Sequence, residues 1–363
     1  MTQPTRKLAA IVFTDIVGFT ELTSRDEAAA MSLLKWQRET FKPLVSELGG
    51  EWLKEVGDGL LLSFPSSQEA VRCAIGIQEA TREVPNLKLR VGIHQGDIIQ
   101  EGPDILGDGV NIASRIQQVA PRGGIAISDK VQQDISGYPE FEVISLGQHS
   151  LKGVARSMEI YCLSPFGLPE IPEYRLLRLT GQGAYGEVWL AQSLTGVHRA
   201  VKIVHRDQFE DAKPYEREFT GITGYEPVSR KHEGLIDLLH VGHGQDDSFF
   251  YYVMELADDQ HTGQEIDPTT YKPKTLRSEL TARENLPIPE CLEQGAHLAR
   301  ALAHLHACGL AHRDVKPANI IYVKGKPRLA DIGLVRALDD SVSFAGTIGY
   351  VPLEGPGRPT GDV

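Results

Sequence analysis

Apolar residues follow two different rhythms along this chain. In residues 8–13 (LAAIVF) they form an unbroken run that ends at Asp15 and Gly18, the pattern of a buried strand delivering a carboxylate to its end. From Asp26 to about Leu48 they recur with helical spacing (Ala29, Leu33, Leu34, Trp36, Phe41, Leu44, Val45, Leu48), and Gly49-Gly50 stops the helix. EWLKEV (51–56) and LLLSF (60–64) flank Gly57-Asp58-Gly59, a hairpin signal in which Asp58-Gly59 is expected to take the positive φ angles of the turn. A helix over 68–81, a strand over 88–94, a helix over 109–119 and strands over 125–128 and 141–146 complete an α+β order.

SPFGLPEIP (164–172) holds three prolines and a glycine, so no helix continues through it, and a linker is drawn at 164–173. Beyond it the rhythm changes to strands: 175–181 (RLLRLTG), 187–193 (EVWLAQS) and 198–204 (HRAVKIV), then a helix around 215–222 and strands near 235–241 and 249–254. Residues 258–289 are polar and proline-bearing, the pattern of a loop insertion with a short helix, and 291–308 is amphipathic. The predicted domains are therefore 6–163 and 174–363, the second with a small lobe at about 174–256 and a further lobe at about 257–363. No internal repeat or low-complexity tract interrupts them.

At 363 residues the chain is long enough for two domains, each burying its own core. A formal net charge of -12 argues against nucleic acid as a partner, because phosphate neutralisation needs clustered Lys and Arg. The four cysteines are scattered and form no CxxC pair; three of them fall in apolar patterns and are expected to be buried, which suits a reducing cytoplasm. No run of 18 apolar residues and no signal-peptide core is visible, so no membrane segment is expected.

Three motifs of the first domain carry chemistry: FTDIVGFT (13–20), KEVGDG (54–59) and DILGDGVNIASR (104–115). Asp15 and Asp58 sit at the ends of separate strands, the arrangement by which paired carboxylates bridge two hard divalent cations. Taken singly, each also fits a turn or helix-capping residue. Asn111 and Arg115 are four apart, so a helix puts both on one face. Together these motifs resemble the class III adenylyl/guanylyl cyclase catalytic domain over 6–163, which implies a mixed sheet with packed helices and a ferredoxin-like core. The resemblance further implies magnesium or manganese at Asp15, Ile16 and Asp58, purine reading by Lys54 and Asp104, and ribose and phosphate contacts from Asn111 and Arg115. It implies a homodimer in which the carboxylates come from one protomer and the other groups from its partner. A lysine donor beside an aspartate acceptor complements adenine and opposes guanine, which favours ATP over GTP.

GQGAYGEV (181–188), AVK (200–202), HRDVKPAN (312–319) and DIG (331–333) resemble a Ser/Thr protein kinase domain. The glycine motif alone is weak; its spacing to the other three gives it weight. The resemblance implies ATP held by Gly181, Gly183, Gly186, Val188, Ala200, Lys202 and Glu255. Glu218 is expected to be the ion-pair partner of Lys202, with Glu216 as the competitor. Asp314 and Lys316 take catalytic roles, Asn319 and Asp331 hold magnesium, and His312 and Arg313 organise the loop, with protein Ser/Thr hydroxyls as acceptors. Lys316 and Gly346-Thr347 give the Ser/Thr character, and Ser341, Ser343 and Thr347 are candidate autophosphorylation sites through which the two modules could be coupled.

Two departures stand out. Ile332 replaces the usual aromatic of the metal motif, and the chain ends at Val363, where the helices of the second lobe should begin. The expectation is a fragment with an incomplete C-lobe, poorly stable or inactive as a kinase. The leading functional expectation is a bifunctional enzyme making cyclic AMP and phosphorylating protein. The alternatives are an active cyclase beside an ATP-binding pseudokinase, an active kinase beside a degenerate nucleotide-sensing cyclase domain, and a scaffold without turnover.

Overall fold

The computed structural model describes residues 5–82, 84, 87–101, 104–154, 156–164, 166–182, 186–209, 211–244, 247–283, 285–337 and 350. Gly183 lies outside them, as do 338–349 and 351–363, which hold Ser341, Ser343, Gly346 and Thr347 and the end of the lobe expected over about 257–363. The chain divides into two compact units, Met1–Pro169 and Glu170–Val363.

In the first unit the elements run β1 (Thr5–Ile16), α1 (Phe19–Arg25), α2 (Glu27–Glu47), β2 (Glu51–Val56), β3 (Gly59–Phe64), α3 (Ser67–Arg82), β4 (Leu89–Glu101), β5 (Asp104–Leu106) and α4 (Asp108–Val119). They continue through β6 (Ile125–Ser128), α5 (Asp129–Ile135), β7 (Val143–His149) and β8 (Met158–Leu163). The strand order is β7-β8-β6-β4-β1-β3-β2, with β5 paired to β4. Only β4 and β6 are parallel among these pairs, so the sheet is mixed.

The unbroken apolar run of β1 has a simple cause: both faces of the strand are covered. Ala10 and Val12 enter a core with Phe41 of α2 and Ile77 of α3, while Ala9 and Ile11 pack with Ala113 of α4 on the other face. Asp26 caps α2, its Oδ1 accepting from Ala29 N at 2.9 Å. Helix α4 lies so close to β4 that a Cβ at Gly92 would come within 2.2 Å of Gln117 N.

Several expectations need correction. The hairpin turn carries its positive φ at Gly57 (65°) and not at Asp58 or Gly59, so the two turn residues are Gly57-Asp58. Of the four cysteines only Cys73 and Cys162 are buried; Cys291 and Cys308 are exposed at the ends of an amphipathic helix whose apolar stripe they miss. The strand expected over 141–146 starts at Val143, and α5, β5 and β8 were not anticipated.

The second unit opens with β9 (Tyr174–Gln182), β10 (Gly186–Ser193) and β11 (His198–His205), followed by α6 (Ala212–Ser229), β12 (Leu238–His243) and β13 (Phe249–Met254). These five strands form an antiparallel order β12-β13-β11-β10-β9. Then come α7 (Leu276–Arg283), α8 (Ile288–Ala307), β14 (Leu310–Ala311), β15 (Ile320–Val323), β16 (Lys326–Leu329) and β17 (Arg336–Ala337), with β15 paired to β16 and β14 to β17. One core joins the two lobes: Tyr225, Phe250 and Tyr252 pack in a cluster that includes Leu302, Leu305, Leu329 and Ile332. No described helix is long and apolar enough to cross a membrane.

Candidate active sites

In the first unit the antiparallel pairing of β1 with β3 carries the β2–β3 turn back to the end of β1. Asp58 is fixed there from two sides. Its Oδ2 accepts from Ile16 N at 2.8 Å, and its carbonyl accepts from Gln37 Nε2 at 3.3 Å. Ile16 is 5% exposed with its side chain in the core, so backbone is all it can offer a ligand. Asp15 stands beside this turn. Burial raises its carboxyl above the usual 3.8, the negative Asp58 raises it further, and Arg90 and the Gln117 side chain oppose the rise.

Two carboxylates that repel each other at a strand end suit a divalent cation, which would remove the repulsion. No group of three or more His, Cys, Asp or Glu side chains among the described residues could hold a metal. A cation held by Asp15 and Asp58 would therefore complete its shell with oxygens of another kind, such as backbone, water or phosphate.

A cavity of about 780 Å³ opens at Asp15, walled by the 16–19 turn, Arg25, Lys88, Arg90 and Arg122. Arg90 pairs in register with Asp15 across β1 and β4, and its buried Nε has no hydrogen-bond partner among the described residues. Lys88, Arg90 and Arg122 escaped the sequence reading. The available signal was the pair of cations on either side of Leu89, where the apolar strand begins.

The other candidates of this unit are placed elsewhere. Lys54 is exposed on β2, and Asp104 lies in β5 opposite Glu101, its side chain outside the described set. Asn111 and Arg115 share a face of α4, but the residue of α4 that reaches Asp15 is Gln117, 6% exposed. Helical geometry puts Gln117 about 200° round from Arg115. Arg115 Nη1 instead donates to Gln118 Oε1 at 3.3 Å.

In the second unit a cavity of about 540 Å³ gathers the candidates. Gly181, Gly186, Val188, Ala200, Lys202, Glu218, Glu255, Asp314, Lys316, Asn319 and Asp331 all line it. Lys202 Nζ lies 2.9 Å from Asp331 Oδ1 and 3.8 Å from Glu218 Oε1, which selects Glu218 over the exposed Glu216. Burial would depress the Lys202 ammonium, but Tyr252, Asp331 and Glu218 outweigh it and hold it well above the lysine range. The Lys202 charge in turn lowers the Asp331 carboxyl. A Cβ at Gly333 would meet Glu218 Oε1 at 2.8 Å and Lys202 Nζ at 3.0 Å, so the third residue of DIG lies against the ion pair.

The loop after β14 supplies a second charged group. Asp314, 7% exposed, accepts at Oδ2 from Lys316 Nζ at 2.7 Å and from Asn319 Nδ2 at 2.8 Å. His312 Nε2 lies 3.1 Å from Ala330 O and holds the loop to the residue between β16 and Asp331. Arg313 (φ 69°) and Asp331 (φ 56°) adopt left-handed backbone, strain that an over-determined site sustains. Ile332 is 1% exposed within the shared core.

Glu255 contributes differently from its neighbours. Its side chain accepts from Asp237 N at 3.2 Å and pairs with Arg328. What it leaves for a ligand is its backbone carbonyl. That oxygen and the Ala257 N–H have no partner among the described residues, and both residues line the cavity.

These sites define a chain with two separate clefts, each built on carboxylates and cations gathered at strand ends. The second unit matches the protein kinase domain family over residues 174–355, and the chain belongs to that family; residues 1–165 match the adenylate and guanylate cyclase catalytic domain. A Rhizobium meliloti protein named "Putative adenylate cyclase 3" is 40% identical over 169 residues, covering 44% of this chain and 29% of that protein. Serine/threonine-protein kinase PknA of Mycobacterium tuberculosis is 30% identical over 171 residues, covering 46% of this chain and 36% of that one. The crystal structure of an adenylate/guanylate cyclase/hydrolase from Silicibacter pomeroyi aligns with 34% identity and a TM-score of 0.43, over 45% of this chain and 99% of that one. The chain thus spans about a third of the length of these curated relatives.

Proposed function

We propose that the chain is a bifunctional signalling enzyme: its first unit, as a homodimer, converts ATP to cyclic AMP and pyrophosphate, and its second phosphorylates protein Ser/Thr hydroxyls with ATP. The observation that carries this reading is a parallel between the units. Each brings two carboxylates and a cation together beside a cavity: Asp15, Asp58 and Arg90 in one, Glu218, Asp331 and Lys202 in the other.

In the first unit Asp15 and Asp58 hold magnesium or manganese, with Ile16 adding a backbone oxygen. When bound, the metal neutralises the triphosphate and acidifies the ribose 3′-hydroxyl. Arg90 binds the departing pyrophosphate with a side chain whose Nε is already desolvated. Because Asn111 and Arg115 lie on the side of α4 away from Asp15, they serve the site of the other protomer. There Asn111 orients the ribose and Arg115 steadies charge on the transferring phosphate. Lys54 donates to, and Asp104 accepts from, the adenine edge, and guanine meets both with the wrong polarity.

In the second unit Lys202 grips the α- and β-phosphates, oriented by Glu218. Asp314 takes the proton of the acceptor hydroxyl, and Lys316, already 2.7 Å from it, steadies the γ-phosphate. Asn319 and Asp331 hold the magnesium, which supplies charge neutralisation along the phosphate chain. The four cysteines, none of them in a disulfide, suit a reducing cytoplasm. Incubating the protein with ATP or GTP plus magnesium or manganese, and resolving cyclic AMP, cyclic GMP and phosphoprotein, tests the whole reading. Cyclic GMP as the main product, or phosphoprotein without any cyclic nucleotide, would contradict it.

A further inference from the structure

The turn between α6 and β12, residues 230–237, sits hard against α8: a Cβ at Gly234 would come within 2.8 Å of the Ala301 side chain and 3.1 Å of His297 Nε2. Three histidines meet at this seat. His232 of the turn stacks on His304 of α8, with ring centroids 5.5 Å apart and planes 26° apart, and its centroid lies 6.2 Å from that of His297. His232 Nδ1 accepts from Gly234 N at 3.0 Å and closes the turn. His297 Nε2 is buried and has no hydrogen-bond partner among the described residues, while His304 Nε2 lies 3.9 Å from Cys308 Sγ. Glu233 faces the cluster, its Oε1 4.0 Å from His297 Nδ1, but its Oε2 is already engaged by Lys326 Nζ of β16 at 2.7 Å. The same turn anchors β16: Leu329 N donates to Gly234 O at 2.8 Å and Ile236 N to Leu329 O at 3.0 Å, just before Asp331.

We propose that His232, His297 and His304 form an acid-sensitive latch of the second unit, in which a proton taken up by His232 releases the turn from α8 and loosens the strand that leads to Asp331. The bond from Gly234 decides which state of His232 the closed turn accepts. An imidazole accepts at Nδ1 only while that nitrogen is bare, and an imidazolium carries N–H on both nitrogens, so the closed turn requires neutral His232. Protonation would set two donors face to face and place a cation beside two further imidazoles and Arg300 of α8. Burial pushes the His232 imidazole below the usual 6.5 and His304 and His297 push it further; Glu233 opposes them and Arg300 adds to them. The open turn therefore binds the proton more tightly than the closed one, and the closed form is favoured above 6.5 and yields as pH falls below it. None of the three histidines lines the 540 Å³ cavity, so the latch stands without the nucleotide reading of the cleft.

The test is amide hydrogen exchange on the full chain, read by mass spectrometry on the peptides that span 230–236 and 326–330 and corrected for the chemical exchange rate. Between about pH 7.5 and about pH 5.5, an interval that brackets the ordinary imidazole value, protection of both peptides is expected to fall. The fall should be about two- to tenfold, the worth of one neutral hydrogen bond. In His232→Asn the side-chain oxygen can still accept from Gly234 N but does not titrate, so protection should survive at the higher pH and change little on acidification. Equal protection of the unaltered protein at both pH values overturns the latch, as does a fall of the same size in His232→Asn. A second measurement needs no variant to fold: exchange of the imidazole C2 hydrogen, followed on the peptide that holds His232, reports its titration in the unaltered protein. A midpoint below 6.5 is expected, and one at or above 6.5 overturns the proposal even where His232→Asn loses the turn altogether.

Discussion

Replacing Lys202 by Met perturbs the second cleft at its most connected point. The Lys202 side chain is 14% exposed, against 7% for Glu218 and 46% for Asp331. Its removal leaves two carboxylates of unequal burial. A buried charge deprived of its partner costs about 3 to 5 kcal/mol, whereas a half-exposed one is screened and loses under about 1 kcal/mol. Because Glu218 lies 3.8 Å from the ammonium, its share falls at the low end, and Lys202→Met is expected to cost the second unit about 3 kcal/mol. Neutralising the buried Glu218 carboxylate as well, in Lys202→Met/Glu218→Gln, should recover about 2 kcal/mol of that.

Urea unfolding followed by tryptophan fluorescence reads this directly. Trp189 is 1% exposed and is the one tryptophan of the second unit, Trp36 and Trp52 belonging to the first. With a slope of about 1 to 3 kcal/mol per molar urea, the single variant should shift the Trp189 transition down by at least about 1 M, and the double variant by about a third of that. Phosphotransfer should fall by about 100- to 1,000-fold in both, because restoring the fold does not restore the cation that meets the phosphates. Equal unfolding of wild type, single and double variants would refute the ion pair. Return of activity in the double variant would reduce Lys202 to a structural role.

The first unit yields three further expectations. Mixing Asp15→Ala with Arg115→Ala should restore about a quarter of wild-type cyclisation, since half the dimers are mixed and each holds one intact site; a mixture as inactive as its components would refute shared sites. The Asp15 carboxyl binds its proton more tightly folded than unfolded, so metal-free stability should fall as pH rises from 3.8 through the raised folded value. Melts in chelator should show that fall in wild type and lose it in Asp15→Asn, and magnesium should restore stability to wild type alone. His94, with Nδ1 2.9 Å from Ser128 Oγ, is pushed by burial from 6.5 down to about 4. The unfolded chain therefore takes up a proton that the folded one refuses as pH falls through this interval. About 3 kcal/mol of stability should disappear across it, and the difference between wild type and His94→Gln melts should show the loss.

What could be read from the sequence and what could not divide along a physical line. Strands β1, β3, β6 and β13 were legible because burial on their faces writes an apolar run directly into the residues, and α2 because Asp26 and Gly49 mark its ends. Asp15, Lys202, Glu218, Asp314 and Asp331 could be named as candidates because each stands in a run of neighbours fixed by its strand, helix or loop. Arg90 and Gln117 were not, since each acts through a partner far away in sequence: Arg90 through its register with Asp15, and Gln117 through the close approach of α4 to Gly92. The turn at Gly57 was misread because Asp-Gly and Gly-Asp offer the same residues, and only the pairing of Val56 with Gly59 fixes which two make the corner. Tyr271 shows the same limit at a cleft. A polar, proline-bearing stretch announces a loop, but the phenol that folds back from it on the Ala257 carbonyl and lines the cavity is placed by tertiary geometry that local spacing does not encode.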